Sequence, residues 1–156
     1  MRTFSLLRGL PVYDQTSGSI VGEVFDLSVT KAGLVNALLI KKGSLFKQTF
    51  FLSIDKVTSF GADGVMIDDP KQIVKLKTIP DYTFATNNAI SGKMLLSKSG
   101  DSLGLLEDVY FQEEVGTIVG YEVTDGFFTD ISEGKHVFKT NTPPRIGKDA
   151  IIVDVK

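Results

Sequence analysis

The chain has no cysteine and no tryptophan, and its 156 residues include a single histidine. Without cysteine there is no disulfide, no thiolate nucleophile and no thiolate-bound metal. One histidine excludes any site that needs two imidazole ligands. Long apolar runs are missing too. The densest, residues 34–40, is interrupted by Asn36 and falls far short of the ~18 residues of a membrane helix, so no membrane insertion is expected. Met1 to Leu10, bracketed by Arg2 and Arg8, lacks the apolar core of ~7 or more residues that a signal peptide needs. Together with the lack of cysteine, this points to a cytoplasmic location. Charge of one sign is scarce as well. Lys plus Arg number 17 against 19 Asp plus Glu, for a net −2, unlike a strongly basic nucleic-acid binder. No phosphate loop or dinucleotide fingerprint is present, so no cofactor and no metal are expected. These exclusions fall hardest on enzymes. What remains is apolar material, 42% of residues, enough for one domain or two very small ones.

The chain repeats itself. Ser17-Gly18-x-x-x-Gly22-x-x-x-Asp26 returns as Ser99-Gly100-x-x-x-Gly104-x-x-x-Asp108, an offset of 82. Gly33 and Gly43 answer to Gly116 and Gly126 at offset 83, and Gly61-x-Asp63-x-Val65-x-Ile67-Asp68 answers to Gly147-x-Asp149-x-Ile151-x-Val153-Asp154 at offset 86. The offset grows between apolar segments, where loops absorb insertions. Strands are expected over 20–29, 34–41, 50–54 and 64–68 in one half. In the other they are expected over 103–111, 117–124, 135–138 and 150–155. The basis is β-branched and apolar composition with alternation at Val65/Ile67 and Ile151/Val153/Val155. Overlaying the halves sets Leu38 and Ile40 on Tyr121 and Val123, a face apolar in both and so assigned to the core. It also sets Leu39 on Glu122, a face expected to meet water in at least the second half. Gly22 and Gly104 interrupt strand patterns, as glycine does at a bend or close backbone approach. The organisation predicted is a first unit over 1–69, a linker over 70–88 and a second unit over 89–156. Asp69-Pro70 resembles an N-cap and first-turn proline, so a short helix over 70–77 and an irregular linker both stay open.

Gly9-Leu10-Pro11-Val12-Tyr13-Asp14, Ser17-Gly18, Gly22-Glu23-Val24-Phe25-Asp26, Ile54-Asp55-Lys56-Val57 and Asp63-Gly64-Val65-Met66-Ile67 together resemble a PRC-barrel domain. This family includes the cytoplasmic domain of the photosynthetic reaction-centre H subunit and the C-terminal domain of a ribosome maturation factor. The resemblance covers residues 5–69 well and 90–155 more weakly, through the repeat. Lys93 stands where Pro11 does, so the opening motif is eroded in the second half. The resemblance implies an all-β protein of two tandem small barrels related by pseudo-symmetry, binding other macromolecules without a catalytic site. The chain is expected to lack the H subunit's membrane helix and the maturation factor's separate N-terminal barrel, so a photosynthetic or ribosomal role does not follow from the resemblance by itself.

Two sets of residues tempt a chemical reading. Gly100-Asp101-Ser102-Leu103-Gly104 satisfies the G-x-S-x-G elbow of serine hydrolases, with His136 as the base and Glu133 three residues before it. The repeat sets Ser102 on Ile20, and both stretches read as a turn entering a strand, so a hydrolase is a remote alternative. Asp26 and Asp108 recur beside a bend, where aspartate ordinarily bonds local backbone amides.

Charge, by contrast, is unevenly shared. Residues 1–78 carry +3 and residues 79–156 carry −5. After the matched glycines, Lys41-Lys42-Gly43-Ser44-Leu45-Phe46-Lys47 faces Thr124-Asp125-Gly126-Phe127-Phe128-Thr129-Asp130. Aromatic anchors with a charged rim suit an interface. The candidate partner-binding residues are therefore Lys41, Lys42, Phe46, Lys47, Phe50, Phe127 and Phe128. They lie either between the halves or toward a partner, the alternative being that the phenylalanines fill each core. The function expected is a non-enzymatic adaptor for a protein partner. An RNA-processing or ribosome-assembly accessory is the alternative, and homo-oligomerisation is left open.

Overall fold

A computed structural model describes residues 1–43, 48–124 and 135–155. Within them the chain is all-β, apart from one helical turn, α1 (Phe4–Leu7), and two three-residue 3-10 turns. The strands are β1 (Arg2–Thr3), β2 (Pro11–Asp14), β3 (Ser19–Val29), β4 (Val35–Lys42), β5 (Gln48–Ser53), β6 (Ser59–Phe60), β7 (Val65–Ile67), β8 (Val74–Lys75), β9 (Tyr82–Thr83), β10 (Met94–Ser97), β11 (Ser102–Phe111), β12 (Ile118–Thr124), β13 (Lys135–Lys139), β14 (Arg145–Ile146) and β15 (Ala150–Val153). Among the described residues no helix is long and apolar enough to cross a membrane.

The strands form two sheets of one design. The first runs β6-β7-β2-β3-β4-β5-β8 and the second β13-β12-β11-β10-β15-β14. Each is a meander of antiparallel neighbours, closed on one side by a single parallel pair: β2 with β7, and β10 with β15. Even the irregularities recur. The register of β3 on β4 slips between Val24 and Asp26, leaving Phe25 as an extra residue. The register of β11 on β12 slips between Leu106 and Asp108, leaving Glu107. Gly22 and Gly104 sit where a neighbouring strand presses close: a methyl at Gly22 would meet Ile40, and one at Gly104 the Thr124 carbonyl. Leu38, Ile40, Tyr121 and Val123 are all buried core residues, as the overlay requires. Leu39 is buried as well, whereas Glu122 is half-exposed.

Segment 70–77 forms no regular helix. Asp69 does cap Lys71 N–H (2.9 Å), but the 3-10 turn Pro70–Gln72 ends at once and the chain extends into β8 along β5. Ile73 drops into the core and β-branched Val74 pairs with Phe51. An open strand edge beside an apolar segment outcompetes a short isolated helix, whose nucleus is costly.

The two sheets exchange their opening strands. β1 lies on β11 in the second sheet, while β9 lies on β3 in the first. Equivalent residues then meet one another. The rings of Phe4 and Phe84 are 4.8 Å apart, and Leu34 bridges Thr117 while Val35 N–H donates to the Gly116 carbonyl (2.9 Å). Like meeting like is the mark of a two-fold axis. The buried apolar residues of both sheets form one continuous core around it.

Candidate binding surfaces

The predicted contact residues that the structure describes cluster where β3, β4 and β5 end. Lys41 pairs with Glu23 on one side and Thr49 on the other, and Lys42 pairs with Gln48. Consecutive strand residues address opposite faces, so the two lysines part company. Lys41 places its ammonium 4.8 Å from the ring centroid of Phe25, and Lys42 places its own 4.7 Å from that of Phe50. Phe50 pairs with core residue Ile40 and packs on the core's rim. Phe25 is the bulged residue of β3, half-buried on the strand's outer side. A lysine over an exposed ring is worth about 0.5–1 kcal/mol. The arrangement is thus two lysine–phenylalanine pairs on the two sides of one strand end, not a single plane. Phe46, Lys47, Phe127 and Phe128 lie outside the described residues. Phe25 was missed from sequence because its bulge breaks the alternation that would have pointed it outward.

A second feature lies on the other sheet. In the first half a groove of about 410 Å³ runs between Ser28, Asn36 and Phe51 and is lined on its far side by residues 74–81. The repeat sets these three residues on Tyr110, Val119 and Val137, and all of these line a groove of about 570 Å³ in the second half. The grooves are therefore equivalent. They differ in what lies along the strand edge. β5 has β8 beside it, while β13 has only β12 as a neighbour among the described residues. Val137 is 54% exposed there. Among the described residues that line it, Lys139 carries a charged side chain and Met1 the chain's ammonium, which pairs with Glu113 at 3.0 Å.

The residues that suggested chemistry are placed as follows. Ser102 opens β11 from the Gly100 turn, and no helix follows it, whereas the hydrolase elbow requires one. His136 is in β13, with β12 between it and β11. Among the described residues no cluster of metal-ligating side chains occurs. The repeated aspartates do bond a local amide, but most of their partners are distant. Asp26 is fully buried and accepts from Leu27 N–H and Ala85 N–H on one oxygen, and from Thr86 N–H and Thr86 Oγ on the other. Asp108 accepts from Val109 N–H, Ser5 N–H and Ser5 Oγ. Each aspartate clasps the opening segment of the other half, so both are structural clamps across the two-fold axis.

Comparison with known proteins agrees with this duplicated architecture. The family model for the PRC-barrel domain matches twice, over residues 1–74 and 84–156. The uncharacterised protein YrrD of Bacillus subtilis (strain 168) is 30% identical over 156 residues, covering 99% of this chain and 88% of the relative. The chain belongs to the PRC-barrel family and carries two tandem copies of its domain.

Proposed function

We propose that this tandem PRC-barrel protein is a non-enzymatic cytoplasmic adaptor that grips a protein partner at the end of β3, β4 and β5. The observation that carries the reading is the pair of cation-capped rings, Lys41 on Phe25 and Lys42 on Phe50. A ring held at the surface under a charge is a preorganised anchor. A partner's carboxylate can replace the lysine's water while its apolar flank covers the ring. The sheet behind the rings is tied to the common core, so docking costs little ordering.

The same chemistry, aromatic plus lysine, also stacks bases and neutralises phosphates, which keeps an RNA-processing or ribosome-assembly accessory as the second reading. The test is a photo-crosslinking residue placed at Thr49, beside Lys41 in the sheet, in cells making the full chain. A discrete protein adduct that disappears in a Lys41→Glu, Lys42→Glu variant is expected. Adducts made mainly of RNA, with an affinity that falls steeply with salt, would transfer the protein to the second reading. Protein adducts indifferent to the charge reversal would remove this surface from the account.

A further inference from the structure

The halves are joined by contacts that do not depend on which copy of the chain supplies them. These contacts run between residues 1–76 and residues 81–156: β1 on β11, β9 on β3, Leu34 against Thr117, Asp26 on Thr86, and Asp108 on Ser5. The short segment between these two parts makes them one chain. Leu76 is held at its start, with N–H on the Thr49 carbonyl, and Asp81 at its end, accepting from Lys31 N–H at 3.0 Å. No backbone hydrogen bond holds residues 77–80 among the described residues, and Ile79 is 81% exposed. The segment is also short for its path. It crosses the first sheet above Ser28, Asn36 and Phe51, from β8 past β5, β4 and β3 to β9. Those four strand spacings come to about 19 Å along the sheet. Seven fully extended steps, from Lys75 to Tyr82, reach about 23–25 Å at most, and Leu76 uses the first of them along β5. Pro80 fixes its own φ and keeps Ile79 extended. Short, strained connections of this kind favour exchange between copies.

We propose that residues 77–80 are a hinge through which two copies of this chain exchange halves. In the resulting dimer, β3 of each copy receives β9 of the other and β11 receives β1, with the same aspartate clasps and the same contact of Phe4 with Phe84. No new surface has to form, because the junction is the one inside the monomer, and reciprocal exchange closes on itself as a two-fold pair. Only the connection differs. Within one chain the halves meet at an effective concentration set by the linker, and this collapses once the linker cannot span the sites. The natural length closes the monomer near its full reach and leaves exchange open to chains that fold together at high concentration. The partner is thus a second copy, selected by an interface already present in the fold. The proposal rests on the exchanged strands and not on the adaptor reading, so either can fail alone.

The chain has no cysteine, so an introduced disulfide can report the connection. Leu34→Cys together with Thr117→Cys puts one thiol on each half at the bridge between them. Oxidised after folding, the pair closes within one chain in the monomer and between two chains in the exchanged dimer. The unfolded full chain is refolded under reducing conditions at low micromolar and at near-millimolar concentration, below and near the effective concentration that a short linker provides, and is then sized by light scattering. The natural length should give monomer at the first and a mixture with particles of twice the mass at the second. Deleting Thr78, Ile79 and Pro80 leaves four steps, about 13–14 Å of reach. That chain should be dimeric at both concentrations, with an unchanged β spectrum and paired chains on a non-reducing denaturing gel. Inserting a flexible Gly-Ser segment after Thr78 should give monomer at both. A shortened chain that is a folded monomer, or that fails to fold at either concentration, would overturn the proposal. So would a natural chain that stays monomeric throughout, or a lengthened chain that dimerises as readily as the natural one. Dimers whose disulfides all close within single chains would overturn it too, since their contact would lie elsewhere on the surface.

Discussion

Asp26 gathers four donors around a carboxylate with no exposed surface. Burying a charge is tolerable only when its oxygens are satisfied in this way. Hydrogen bonds to charged groups contribute about 1.5–3 kcal/mol each. An Asp26→Asn substitution keeps one accepting oxygen and turns an NH2 onto N–H donors, so a loss of about 2–4 kcal/mol in urea unfolding is expected. Asp108, with three donors and a little exposure, should lose less on the same change, and an inverted order would contradict the clamp. Tyr121 presents the opposite case. Its hydroxyl is buried in the second half's core with no hydrogen-bond partner among the described residues, and burial pushes the phenol well above its usual value near 10. Its counterpart in the first half is Leu38, which carries no polar atom to satisfy. Tyr121→Phe should therefore stabilise the protein by about 1 kcal/mol at neutral pH. The pH dependence has a definite sign. Above pH 10 the unfolded phenol loses its proton while the folded one keeps it, so the native protein loses stability as pH rises. The phenylalanine variant lacks this loss. Its advantage in denaturant titrations should widen by about 1.4 kcal/mol per pH unit above 10; a constant gap would mean the hydroxyl is solvated in the folded state.

At the scale of elements, Gly116 is the described glycine with the least room for a side chain. Gly116 has φ +81, and a side chain there would collide with the Val35 carbonyl, on the same two residues whose backbones join the halves at 2.9 Å. Gly116→Ala should cost upwards of about 2 kcal/mol, combining backbone strain with loss of that bond. Thermal unfolding followed by circular dichroism would check it, and a drop of under a degree would show that the bridge is dispensable. The long strands were readable in the sequence because composition and period two agree along them, as in β3, β4, β11 and β12. The bulges at Phe25 and Glu107 were not, because one inserted residue leaves no mark in composition. That gap carried into the site: Phe25, the ring beneath Lys41, was not singled out. The separation of Lys41 from Lys42 was readable, since neighbours in a strand always part. β1, β8 and β9 were illegible for another reason. Two residues carry no period, and their partners are chosen by edges that other segments leave open.

For the whole molecule, duplication was visible in the spacing of glycines and aspartates, but the exchange of opening strands was not. A repeat shows that two units are alike and says nothing about which unit's strand completes which sheet. The exchange makes the halves mutually dependent. β1 belongs to the first repeat by sequence and to the second sheet by pairing, and β9 reverses that relation. Arg2 in β1 reaches back to the carbonyls of Phe60 and Gly61, and its counterpart Tyr82 reaches the carbonyl of Ile146, the residue equivalent to Phe60. Charge adds to this, since the halves carry +3 and −5. Two beads on a string would separate once the string is cut; this protein should not. A protease site inserted between Thr78 and Ile79, beside an exposed isoleucine, divides the chain between β8 and β9. After cleavage, both fragments still hold one strand of the other's sheet, both aspartate clamps and the paired phenylalanines. At micromolar concentration they should elute together at the size of the intact chain with an unchanged β spectrum. Adding Asp26→Asn and Asp108→Asn together should let them separate in much milder urea. If the cleaved wild-type fragments elute apart, each with its own folded spectrum, the exchanged strands are not what joins the two halves.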